Sequence, residues 1–121
     1  MKRKVIVVDD NKDFLEIVKD SIEFRTDFRG IAFSNPEDAL RYMLDEKDIY
    51  AVVTDYKMPQ MNGFELTKQI ISKLPTTKII VMSGHDTRFL ERIALKQGID
   101  ENKVKLLCKS DIINLVVMLN S

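Results

Sequence analysis

Ala51-Val52-Val53-Thr54-Asp55-Tyr56-Lys57-Met58-Pro59 decides how the rest of this sequence is read. An apolar run that ends in one acid, followed by a proline unable to continue a strand, predicts a buried strand delivering Asp55 to the carboxyl edge of a sheet. Three other stretches repeat the pattern. Lys4-Val5-Ile6-Val7-Val8 stops at Asp9-Asp10, Lys78-Ile79-Ile80-Val81-Met82 stops at Ser83-Gly84, and Val104-Lys105-Leu106-Leu107-Cys108 stops at Lys109. Continuous apolar strands of this kind belong to parallel sheets covered on both faces, and such sheets bind ligands beyond the carboxyl ends of their strands. The four polar termini therefore predict one acidic pocket that also contains a lysine and a hydroxyl.

Between these strands the apolar period becomes helical. Lys12 to Phe24 places Phe14, Ile17, Val18 and Ile22 on one expected inward face. Asn35 and Pro36 suit the N-cap and first position of a second helix, with Ala39, Leu40, Met43 and Leu44 inward and an end by Lys47. A third carries Phe64, Leu66, Ile70, Ile71 and Leu74 and is stopped by Pro75. Asp86 is the expected cap of a fourth, through Phe89, Leu90, Ile93 and Ala94 to Gly98, and Ser110 or Asp111 begins a fifth. Phe28 to Phe33, with Gly30 inside it, is a poorer strand that belongs at a sheet edge. Five alternations with short links predict one α/β domain over residues 1–121, a parallel sheet with helices on both faces.

Composition removes several function classes. Lysine plus arginine and aspartate plus glutamate number 19 each, so no overall basic field attracts nucleic acid, and direct nucleic-acid binding is not expected. The basic start at Lys2-Arg3-Lys4 imitates a signal peptide, but Asp9-Asp10 cuts its apolar segment short. No other run approaches a membrane span, so membrane insertion is not expected, and the lone cysteine fits the reducing cytoplasm expected as its location. Cys108 is the one cysteine, which excludes an internal disulfide and suggests a small core residue.

Asp9, Asp10 and Asp55, once gathered, repel one another unless they are protonated, solvated or bound to a cation. Oxygen donors without a His or Cys cluster suit a hard divalent ion, and Mg²⁺, which retains several waters, fits best. A carboxylate is also a nucleophile toward phosphorus when nearby cations neutralise the transferring oxygens. Lys109 is the candidate fixed cation, and Ser83 the candidate hydroxyl donor.

Taken jointly, Asp9-Asp10, Asp55 with Met58-Pro59 and Gly63, Ser83-Gly84 and Lys109 resemble the receiver domain of two-component response regulators, across the whole chain. The resemblance implies a flavodoxin-like (βα)5 fold, a doubly wound five-stranded parallel sheet of order 2-1-3-4-5. It implies that Asp55 accepts a phosphoryl group from a histidine kinase or phosphotransfer protein. Asp10, Asp55 and the Lys57 backbone carbonyl would bind Mg²⁺, with Asp9 acting through a water. Ser83 would occupy the switch position, and Lys109 would pair with the phosphoryl group. Such a domain is a signalling switch rather than an enzyme, apart from its own phosphoryl chemistry.

Downstream protein targets would dock on a face formed by the fourth helix, last strand and fifth helix, a face that also permits a homodimer. In the fifth helix Ile112, Leu115, Val116 and Leu119 share one side, which leaves Ile113, Val117 and Met118 on its flanks. Leu106 stands where the family usually has an aromatic, and Ser110 where it has proline. Without that proline the Lys109–Ser110 bond is expected to be trans, since a cis bond there costs about 2.5–4 kcal/mol. Tyr56, Lys57 and His85 flank the pocket and are expected to tune phosphoryl lifetime, with His85 no metal ligand.

Two other function classes compete. A receiver-like scaffold acting without phosphorylation would not need Asp10, Asp55, Ser83 and Lys109 intact. A flavin binder would want a phosphate cradle where Asp9-Asp10 stands, and an aspartyl phosphatase a second acid two residues after its nucleophile.

Overall fold

The computed structural model describes residues 2–46 and 48–121. Strands and helices alternate as β1 (Lys4–Val8), α1 (Lys12–Arg25), β2 (Arg29–Phe33), α2 (Pro36–Leu44), β3 (Ile49–Asp55), α3 (Gly63–Lys73), β4 (Lys78–Ser83), α4 (Arg88–Lys96), β5 (Val104–Cys108) and α5 (Ile112–Asn120). All strand pairings are parallel and the order is β2-β1-β3-β4-β5. This is the doubly wound topology expected, with β2 at an edge. The order reverses direction beside β1 and β3, so the loops after those strands diverge and open a crevice.

Successive strand side chains face opposite sides, which divides the core in two. Val5, Val7, Ala51, Val53, Ile80 and Met82 pack with Leu15, Val18 and Ile22 of α1 and Leu115 and Leu119 of α5. Ile6, Val8, Val52, Ile79 and Val81 pack with Ala39 and Met43 of α2, Phe64, Leu66 and Ile70 of α3, and Leu90 of α4. Each large side chain buried in this way contributes about 1.5–3 kcal/mol.

The helix starts follow from local chemistry. Asn11 Oδ1 accepts the Phe14 N–H at 3.1 Å, and Asn35 Oδ1 accepts from Glu37 at 2.8 Å ahead of Pro36. Asn62 and Glu65 form a reciprocal capping box at α3. Asp86 acts one residue earlier than expected: Thr87 holds the N-cap position of α4 without a side-chain bond, while Asp86 Oδ1 accepts the Arg88 N–H at 3.0 Å. Gly30 is buried inside β2 because α1 passes close by, where an added Cβ would meet the Lys19 carbonyl oxygen at 3.3 Å.

Several expectations need correction. The inward stripe of α1 is Leu15, Val18 and Ile22, whereas Ile17 is 51 % exposed and Phe14 only half-buried. At about 100° per residue, Ile17 lies some 160° from Leu15, so both cannot face the sheet. Leu44 is exposed at the last turn of α2, and Lys47 lies outside the described residues. Cys108 is half-buried rather than core, because it ends β5 with its sulfur 3.1 Å from the Ser110 hydroxyl. No peptide bond among the described residues is cis, so Lys109–Ser110 is trans as expected. No described helix is long and apolar enough to cross a membrane.

Candidate functional site

β1 and β3 lie side by side with Val8 opposite Thr54. This register places Asp9 next to Asp55. Carboxylate oxygens of Asp9, Asp10 and Asp55 all lie within 4.8 Å of one another. Asp9 and Asp55 are buried and Asp10 is exposed, so the cluster opens to solvent on one side only. β4 carries Ser83, and its pairing with β5 sets Ser83 opposite Cys108. The Lys109 N–H donates to the Ser83 carbonyl at 2.8 Å, which fixes the lysine backbone one residue beyond the sheet.

From there the Lys109 ammonium reaches Asp9 Oδ2 at 2.7 Å and Asp55 Oδ2 at 3.2 Å. The side chain is 20 % exposed, so these pairs are poorly screened. Asp9 is engaged on both oxygens, since its Oδ1 accepts the Asn11 N–H at 2.9 Å. Burial, then the charge of Asp9, push the Asp55 carboxyl above the usual aspartate range, against the opposing pull of Lys109. Burial by itself disfavours the charged Lys109, but its hydrogen bond to Asp9 and the charges of Asp55 and Asp9 outweigh that and hold its pKa above the ordinary lysine value.

The expected residues thus converge. Asp10, Asp55, Lys57, Ser83, His85 and Lys109 line one cleft of about 620 Å³, together with Asn11, Tyr56, Gly84 and Phe89. Ser83 Oγ accepts the His85 N–H at 3.1 Å, so the hydroxyl is tied to the loop that enters α4. Gly63 closes the far side: its N–H donates to the Tyr56 carbonyl at 2.7 Å, drawing the start of α3 against the end of β3.

Three carboxylates face one ammonium in this pocket. The excess of negative charge, the oxygen-only donor set and the exposure of Asp10 fit a hard divalent cation that keeps part of its water shell.

Two aromatic residues join the site in ways that sequence periodicity missed. The Lys109 nitrogen sits 4.7 Å from the centre of the Phe14 ring. Phe89, 61 % exposed, meets Tyr56 edge-on at 6.3 Å at the mouth of the cleft. Both lie in the first turn of a helix that leaves the carboxyl edge of the sheet, a placement that would have flagged them.

Residues 5–117 match the family described as the response regulator receiver domain. The putative two-component response regulator ARR21 of Arabidopsis thaliana is 35% identical over 95 residues, which cover 78% of this chain but only 15% of that protein. The chain therefore spans a small part of that relative. Among solved structures, the BeF3-activated DrrB receiver domain superposes with a TM-score of 0.80 at 25% identity, over 99% of this chain and 96% of that one. A response regulator from Burkholderia pseudomallei, solved with a phosphorylated aspartic acid, calcium ion and citrate, has the same fold, with a TM-score of 0.79 at 22% identity over 98% of this chain and 66% of that one.

Proposed function

Since the chain belongs to the response regulator receiver domain family, we infer that it is a phosphorylation-activated signalling switch, one receiver domain over residues 1–121, in which Asp55 is the phosphoacceptor. The observation that carries this is Asp55 itself: a carboxylate buried at the end of the central strand, 3.2 Å from Lys109 and among two other acids. A phosphorylated aspartic acid in the Burkholderia pseudomallei regulator of the same fold supports the reading.

An Asp55 carboxylate oxygen attacks phosphorus as the bond to the donor's imidazole nitrogen breaks and its electron pair returns to the ring. Asp55 becomes an acyl phosphate. Lys109 loses an anionic partner at Asp55 and gains phosphoryl oxygens, so its ammonium stays paired throughout. Ser83 offers its hydroxyl to a phosphoryl oxygen. Asp10, Asp55 and the Lys57 carbonyl would hold Mg²⁺, with Asp9 acting through a water. When bound, the ion supplies positive charge against the transferring oxygens.

A histidine kinase or phosphotransfer protein is the proposed donor. Ile113 and Val117 of α5 are exposed at 74 % and 58 %, and a groove between α4 and β5 is lined by Ala94, Leu95, Ile99 and Leu106 together with Glu91, Glu101 and Lys105. This is the proposed downstream face. Ile113→Asp and Val117→Asp should weaken partner binding or self-association while phosphoryl uptake at Asp55 stays at the wild-type rate. Normal association by both folded variants would move the output surface elsewhere.

The functional test is incubation with a small acyl phosphate and Mg²⁺, followed by intact mass. Wild type should gain one phosphoryl group, and chelation should prevent it. Asp10→Ala should raise the Kd for Mg²⁺ by more than about tenfold, since it removes a ligand outright. A titration unchanged by Asp10→Ala would place the metal elsewhere, and absence of any mass gain in wild type would overturn the switch.

A further inference from the structure

We propose that Phe14 is a positioning residue for Lys109, holding the ammonium against Asp9 and Asp55 by presenting the face of its ring as a third partner. Lys109 is fixed at its backbone by the bond to the Ser83 carbonyl, but a lysine side chain keeps considerable rotamer freedom beyond that point. Two of the three ammonium hydrogens have carboxylate acceptors at 2.7 and 3.2 Å. The ring of Phe14 lies 4.7 Å from the same nitrogen, within the range of a cation–π contact. A ring face attracts a cation without supplying an anion, so it adds no repulsion to a pocket already crowded with carboxylates.

The position of the ring is built in. The Asp9 carboxylate accepts the Asn11 N–H at 2.9 Å, and Asn11 in turn caps α1 by accepting the Phe14 N–H at 3.1 Å. One chain of bonds therefore links the acid that grips Lys109 to the backbone of the residue that faces it. Phe14 flanks the buried stripe of Leu15, Val18 and Ile22, half-buried and packed against its edge, with its ring also reaching the Lys109 ammonium.

The inference rests on Asp55 as phosphoacceptor for its kinetic consequence, whereas the contact itself is testable without phosphorylation. Wild type, Phe14→Leu and Phe14→Tyr are compared by NMR of the lysine Cε methylenes, with the Lys109 signal identified by its loss in Lys109→Met. In wild type and Phe14→Tyr that signal should be displaced upfield by the ring current; in Phe14→Leu it should return to the position of the other lysines. With saturating Mg²⁺ and a small acyl phosphate, Phe14→Leu should take up phosphoryl about three- to tenfold more slowly, while Phe14→Tyr stays within about twofold of wild type. Leucine retains apolar bulk, so equal rates for the Leu and Tyr variants would mean that Phe14 merely packs, and would overturn the proposal. An undisplaced Lys109 signal in wild type would do the same. If wild type takes up no phosphoryl group, the role of Asp55 fails, and the NMR comparison alone decides whether Phe14 holds Lys109.

Discussion

Asp55→Asn should abolish phosphoryl uptake, leaving no mass gain in any concentration of Mg²⁺ or acyl phosphate. The amide keeps the shape of the side chain but removes the anionic nucleophile and one of three neighbouring carboxylates. Equal labelling of variant and wild type would sink the assignment. A second consequence concerns stability. The folded-state pKa of Asp55 is raised by burial and by Asp9, so the folded chain holds that proton more tightly than the unfolded chain does. The associated stability is present below the unfolded value and is lost as pH rises through the folded one. At neutral pH without metal, the charged Asp55 therefore weakens the fold, and Asp55→Asn should melt higher than wild type in chelator. Mg²⁺ reverses this advantage, because an ion at a hundred times its Kd stabilises wild type by about 2.7 kcal/mol. A variant melting below wild type in chelator would mean that Lys109 outweighs burial.

Gly63→Ala should damage both fold and site. A Cβ at Gly63 would lie 2.8 Å from the Asp55 carbonyl oxygen, 3.0 Å from the Tyr56 Cα and 3.1 Å from a Val81 methyl. Two of these neighbours are backbone atoms at and just beyond the end of β3, so they cannot rotate away. Either α3 lifts from the sheet, breaking the 2.7 Å bond from the Gly63 N–H to the Tyr56 carbonyl, or the end of β3 shifts. Overpacking of this kind costs about 1–3 kcal/mol, and a displacement of about 1 Å in a reacting group is worth up to about a hundredfold in rate. Denaturant unfolding together with the rate of uptake measures both losses. A variant with an unchanged unfolding midpoint and normal uptake would show that the contact relaxes freely.

Four of the strands were legible because each ends where an apolar run meets a polar residue, Val8 before Asp9 and Cys108 before Lys109, whereas the order 2-1-3-4-5 came from the resemblance to receiver domains. The convergence of Asp9, Asp10, Asp55, Ser83 and Lys109 followed from those strand ends alone. What sequence could not deliver were contacts made across elements. Phe14 has the spacing of a core residue, and only the rotation of α1 set by Leu15, Val18 and Ile22 turns its ring toward Lys109. Ile17 was misplaced because the helix turns Leu15 inward, about 160° away, which leaves Ile17 facing solvent. Cys108 looked like core by composition, yet the last residue of an edge strand has one side uncovered. The pairing of Lys109 with Asp9 more closely than with Asp55 depends on a few tenths of an ångström that no pattern encodes.

Lys109 is carried by the segment following β5, and β5 pairs with a single neighbour, β4. The acids come from strands further inside the sheet. An outermost strand opens more readily than an inner one, and each local opening withdraws the cation while the acids stay in place. The pool of molecules with the complete pocket is thus smaller than the pool of folded molecules, by the fraction in which this margin is frayed. Heat, or substitutions along β5 and α5 that never touch the cleft, would strip the pocket of its cation well before bulk unfolding, and amide exchange at Leu107 and Lys109 would register the loss first.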